Sequence, residues 1–230
     1  MPRHAERALF GNGAFALLVL CAATPAGAKD KPRKPTPPEP ATQYALHDTH
    51  DGITVAAEPG DLAETRPNTR LDYFHHGYLP LRVIVTNNSD QPVSLDDARI
   101  LFIATDGYTR NAATDDELDR RMFSKKNVDG TKIPLPAPLP GIRIHHPGVD
   151  KQIQADTTDF GFTSTTVAPH ATEAGYLFYD TRDIDEPVLE KATLELRKVR
   201  WASTNKEMQA FEIPLKPSAA PNHPAPAAGH

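Results

Sequence analysis

An apolar residue at every second position constrains this chain more than any other feature. In Leu81-Arg82-Val83-Ile84-Val85-Thr86, the side chains of Leu81, Val83 and Val85 share one face of an extended segment. The alternation recurs at Gly52-Ile53-Thr54-Val55-Ala56, at Ala192, Leu194 and Leu196 between polar neighbours, and at Phe211, Ile213 and Leu215. Ala98 to Ile103 is nearly all apolar, as in a strand buried on both faces, and Gly175 to Asp180 is short and aromatic. Turn residues separate these runs: Asn87-Asn88-Ser89-Asp90-Gln91-Pro92 and Asp183-Ile184-Asp185-Glu186-Pro187. Many short strands with such turns predict an all-β fold, a β-sandwich. No internal repeat of fixed period is present.

One stretch breaks the period. Thr114-Asp115-Asp116-Glu117 reads as an N-cap followed by acids in a first helical turn. Leu118, Met122 and Phe123 then fall on one helical face, which predicts one short helix ending near Lys126, with Asp129-Gly130 as a turn. Pro134-Leu135-Pro136-Ala137-Pro138-Leu139-Pro140 cannot continue a helix, because proline lacks the amide donor and clashes with the preceding turn. Residues 114–149 therefore read as an insertion between strands, the kind of segment that carries contacts.

The ends define the compartment. Arg3 and Arg7, the apolar run Ala14 to Cys21, and Ala26-Gly27-Ala28 form the pattern of a secretory signal over residues 1–28, cleaved after Ala28. Leu20 is bulky where a lipoprotein signal has a small residue before its cysteine, so lipidation of Cys21 is the weaker reading. Cleavage removes the only cysteine, leaving no thiolate ligand, no disulfide and no cysteine nucleophile. Residues 29–43 read as a proline-rich linker, 44–216 as the sandwich, and 217–230 as a disordered Pro/Ala-rich tail. The formal net charge is −5, one unit more negative after cleavage, and the lysines are scattered. That balance speaks against nucleic acid and anionic lipid as partners, and no stable membrane insertion is expected once the signal is gone. The expected location is periplasmic or extracellular.

Two segments resemble bacterial secreted immunoglobulin-like sandwich domains. In Gly77 to Asp96 (GYLPLRVIVTNNSDQPVSLD), a strand ends at N-N-S-D-x-P and the next begins with V-x-L. Val167 to Asp180 (VAPHATEAGYLFYD) looks like the matching element, V-x-P-G leading into G-[FY]-L-x-F-D, with His170 where glycine is usual. The resemblance covers about two thirds of the chain, and it implies a binding or accessory module with no catalytic residues to transfer.

The motif search agrees with that implication. His47-Asp48-Thr49-His50-Asp51 concentrates two imidazoles and two carboxylates. As a calcium loop it would place His47 and Thr49 at positions a hard cation fills with carboxylates, so it reads as a polar approach to the strand that follows. His75-His76 and His145-His146 point to opposite faces within each pair, so a metal site would need convergence, for example of His50, His76 and His146. His223 and His230 in the tail are poorly spaced as a preorganised site. Asp159-Phe160-Gly161 spells a kinase tripeptide without its companion loops, and no G-x-S-x-G, H-E-x-x-H or phosphate loop occurs. Tyr73, Phe74, Tyr78 and Trp201 read as core or rim residues, or as a contact cluster should they gather on the surface.

The expectation is thus an immunoglobulin-like β-sandwich with one short helix and a proline-rich insertion. Its expected role is a noncatalytic exported binding module of the cell envelope, without cofactor, contacting a protein or glycan through residues 114–149. The alternatives are a periplasmic histidine-dependent metal-binding protein and a hydrolase with a dispersed site.

Overall fold

The computed structural model describes residues 35–128, 132–133, 142–143 and 150–217. The expected signal over residues 1–28, Cys21, the turn at Asp129-Gly130, the proline run 134–140, His145, His146, His223 and His230 lie outside the described residues.

The chain is mostly β, arranged in several antiparallel sheets. The strands are β1 (His47–His50), β2 (Ile53–Pro59), β3 (Tyr78–Asn87), β4 (Val93–Ser94), β5 (Arg99–Ile103) and β6 (Thr109–Asn111). They continue as β7 (Lys132–Ile133), β8 (Ile142–Arg143), β9 (Thr166–Val167), β10 (Thr172–Asp180), β11 (Thr193–Arg197), β12 (Arg200–Trp201) and β13 (Phe211–Pro214). One four-stranded sheet runs β1-β2-β3-β10, the other β13-β11-β5-β6. A three-stranded ribbon β12-β4-β9 and the pair β7-β8 complete the pairing.

Period two dictates what each sheet buries. On the first sheet, Val55 lies opposite Val85, and Leu81 opposite Leu177. That face joins Phe102, Leu194, Leu196, Phe211 and Ile213 of the second sheet in one hydrophobic core. Tyr179 crosses between the sheets: its ring lies 5.5 Å from Phe102, and its hydroxyl donates to the Ile100 carbonyl.

The other face of the first sheet is covered as well. Two helices, α1 (Asp115–Val128) and α2 (Asp150–Phe160), lie in the chain between β6 and β9. Their Leu118, Ile153 and Phe160 pack on Tyr78, Tyr176 and Phe178 of the sheet. Further along the same face, Ala41 packs on Ala56 and Ile84. Residues 41–43, the end of the expected linker, form a 3-10 turn, and the buried Ala41 amide donates to Thr86 Oγ1 at 2.8 Å. The middle strand β3 is thus buried on both sides.

The expectation of a single helix needs correction, because α2 is a second one. Its sequence Asp-Lys-Gln-Ile-Gln-Ala-Asp-Thr-Thr-Asp-Phe offers Ile153 and Phe160 as its only large apolar anchors, and Thr157-Thr158 are weak helix formers. Tertiary contact fixes it. Asp156, fully buried, accepts the backbone amides of Arg70 and Leu71, the Arg70 guanidinium at 2.9 Å and the Tyr73 hydroxyl at 3.2 Å.

Candidate functional site

The helix expected after Thr114 begins there. The Thr114 amide donates to Glu117 Oε2 at 2.9 Å, and the Glu117 amide donates to Thr114 Oγ1 at 3.3 Å, a reciprocal capping box. These bonds from the Thr114 amide and hydroxyl hold the Glu117 carboxyl below its ordinary range. Just upstream, the Ala113 amide donates to the Phe178 carbonyl at 2.7 Å and ties the helix entry to β10.

This entry fixes two faces of α1. Leu118 goes down onto the sheet. Glu117, Arg120 and Arg121, spaced as helical neighbours, line a cleft of about 590 Å³ with Arg110 and Asn111 of β6, Tyr78 of β3, and Asp180 and Asp183 at the end of β10. Tyr78 and Asp180 are directly opposed across β3 and β10, so the sheet itself sets the floor of the cleft.

Several of these groups are already engaged. Arg110 donates to both oxygens of Asp106, at 3.3 and 2.9 Å. Glu117 is held in the capping box. Asp180 is clasped by Arg182 and lies 3.6 Å from Arg121. Burial and the Asp180 charge push the Tyr78 phenol up, while Arg121 partly offsets them, so Tyr78 stays a neutral hydroxyl. What is left open is specific. Among the described residues the side chains of Arg120, Asp183 and Asn111 have no hydrogen-bond partner, and that of Arg121 has only its long contact to Asp180.

The histidine sites resolve differently. His47 to Asp51 is not merely a polar approach: His47–His50 is itself the edge strand β1. Asp51 and Gly52, at φ 51° and 80°, form the two-residue turn into β2. Asp48 and His50 share a face, and Asp48 Oδ2 accepts both His50 Nε2 at 3.0 Å and the Glu212 amide of β13 at 2.9 Å. The group therefore joins an edge of one sheet to an edge of the other. His75 pairs with Asp72 at 2.7 Å and His170 with Asp90 at 3.0 Å. None of these imidazoles bonds a serine or threonine hydroxyl among the described residues. No group of three or more His, Cys, Asp or Glu side chains among the described residues is placed to hold a metal ion.

The remaining motif residues are structural. In the kinase-like tripeptide, Asp159 binds the Arg70 guanidinium at 2.6 Å, Phe160 is buried on the sheet, and Gly161 lies beside Tyr176. Tyr73 and Tyr78 are buried, Trp201 packs partly against the core within β12, and Phe74 lies under the Arg66 guanidinium. The aromatic cluster is therefore core and rim.

The expected contact surface, residues 114–149, contains Arg120 and Arg121 without singling them out, and it leaves out Arg110, Asn111, Asp180 and Asp183. Arg120-Arg121 next to the Leu118/Met122 face was the available signal. Comparison of the chain with protein-family models, with curated proteins and with solved structures finds no match.

Proposed function

We propose that this chain is a noncatalytic, exported binding module of the bacterial cell envelope, built on an immunoglobulin-like sandwich, that takes its ligand in the cleft beside α1. Support for the sandwich comes from strand order. β2-β3-β10 has the order of strands A, B and E, and β13-β11-β5-β6 that of G, F, C and C′. The two helices then occupy the connection from C′ to E. His170 adopts φ 57°, the left-handed conformation that glycine favours at that place in the resembling motif.

Fold alone assigns no activity, so the function rests on the site. The observation that carries it is the cleft, whose open groups at Arg120, Arg121, Asn111 and Asp183 face solvent-accessible space of ligand size. None of these is arranged as a nucleophile with a base, which favours binding over catalysis.

The test is capture from envelope extract by the purified protein. Arg120→Ala/Arg121→Ala should lose the captured ligand, while Lys206→Ala, exposed in the loop after β12 and outside the cleft, should retain it. Equal capture by all three forms removes the cleft from the interface.

A further inference from the structure

We infer that the cleft recognises an acidic saccharide, a sugar unit bearing a carboxylate as well as hydroxyl groups. The inference rests on the cleft being the binding site and adds the class of its ligand.

Three observations converge. First, the donors left open are guanidiniums. Arg120 has no ion-pair partner among the described residues, and Arg121 reaches only an aspartate already clasped by Arg182. A guanidinium presents a planar fork of N–H groups that matches a carboxylate with two parallel bonds. Second, Asp183 lies in the same cleft with no partner, beside Asp180. A compact ligand bearing only anionic oxygens, such as inorganic phosphate, would meet repulsion from these acids. A ligand with hydroxyl groups can donate to them instead. Third, the cleft carries neutral polar groups on its floor and wall: the Tyr78 hydroxyl, whose proton goes to the Glu117 carbonyl at 3.4 Å and which offers only its oxygen as an acceptor, and the Asn111 side-chain amide. These suit the hydroxyl pattern of a sugar ring.

Net charge does not separate this ligand from a zwitterion: Arg120 and Arg121 face two acids of the lining, Glu117 and Asp183. Ring hydroxyls do, because an amino acid such as alanine carries none to set against Asp183 and the Asn111 side chain together. The cleft, about 590 Å³, lies within the usual range of small-ligand sites, about 300–1,000 Å³.

Isothermal titration of the purified protein with glucuronate, glucose, inorganic phosphate and alanine tests the inference. Glucuronate should bind at least tenfold more tightly than each of the other three. Arg120→Gln/Arg121→Gln should weaken glucuronate at least tenfold and leave the thermal midpoint in place, since Arg120 is exposed and Arg121 only partly covered. Asp183→Asn should weaken it as well, which a general cationic patch would not do, because removing an acid from such a patch strengthens anion binding. Equal binding of glucose, equal or tighter binding of phosphate or alanine, or no glucuronate binding overturns the inference. The envelope-capture test stands apart: capture that depends on Arg120 and Arg121 without glucuronate binding keeps the cleft and discards the sugar acid.

Discussion

Asp156 of α2 accepts the Arg70 backbone amide on both carboxylate oxygens, at 2.9 and 3.0 Å, and the Arg70 guanidinium at 2.9 Å. One buried side chain thereby holds a helix to a loop 86 residues earlier in the chain. The same carboxylate accepts the Leu71 amide and the Tyr73 hydroxyl, so it supplies the acceptors for a whole turn. Removing it leaves those donors covered and unpaired. Asp156→Ala should destabilise the protein by about 3 kcal/mol, and Asp156→Asn by less, because an amide keeps one acceptor oxygen. Urea unfolding measures both; a loss below about 1 kcal/mol for the alanine variant would show that water replaces the carboxylate.

The capping box has a pH signature. Glu117 has its carboxyl lowered by the Thr114 amide and hydroxyl, relative to an ordinary value of 4.5. A folded-state value below the unfolded one gives stability that is present above pH 4.5 and lost as pH falls through the folded value. Thr114→Ala should cost about 1 kcal/mol near neutral pH. The difference between Thr114→Ala and the parent protein should shrink on acidification, as thermal melts from pH 7 to 3 would show. A constant difference across that range would place the effect elsewhere in the first turn.

Asp48 links the two sheet edges through the Glu212 amide, with His50 as its second partner. That geometry makes the segment a clasp rather than a ligand set. Asp48→Ala should cost about 1–2 kcal/mol through the unpaired amide and lost imidazole contact. Prolonged dialysis against a chelator should leave the thermal midpoint unchanged, and elemental analysis should find no stoichiometric zinc or copper. One tightly bound metal per chain, lost in His50→Ala or His76→Ala, would restore the metal-binding alternative.

Export gives a separate prediction. The signal pattern places cleavage after Ala28, so intact mass of the envelope protein should correspond to a chain beginning at Lys29. A chain beginning at lipid-modified Cys21 would make the protein a lipoprotein.

Strands were legible in the sequence where one face alternates against the other, as at Leu81 to Thr86. They were also legible where the turn has its own chemistry. Asn87 is fully buried, with its amide nitrogen on the Gln91 carbonyl at 2.8 Å and its oxygen accepting Ser89, which is how N-N-S-D ends β3. The β1–β2 hairpin was written too, in Asp51-Gly52, but His47 to His50, polar throughout, read as an approach to a strand rather than as a strand itself. α2 was not legible, because its decisive residue is a buried aspartate whose partners lie in a distant loop. The cleft was half legible: Arg120 and Arg121 are local to the insertion, whereas Arg110, Asp180 and Asp183 reach it only through strand pairing.

The last prediction separates the two faces of α1. Leu118 is 1% exposed and packs on the aromatic face of the first sheet, while Arg120, two residues on, is exposed on the cleft side. Residues two apart on a helix do not share a face, so the same turn serves packing and binding separately. Leu118→Ala should cost about 2–5 kcal/mol through lost burial and a residual cavity. Arg120→Ala should change stability by no more than about 0.5 kcal/mol. The contrast extends to the insertion together with α2, residues 114–160. Closing the chain with a short Gly/Ser linker changes loop entropy by only about 1–2 kcal/mol. Replacing residues 114–160, however, also strips Leu118, Ile153 and Phe160 from Tyr78, Tyr176 and Phe178, at roughly 1.5–3 kcal/mol for each large side chain. The linker variant should therefore unfold far below the parent temperature or fail to fold, while Arg120→Ala melts with the parent. A linker variant that unfolds cooperatively near the parent midpoint would show that the helices add a binding face to a sheet that is stable without them.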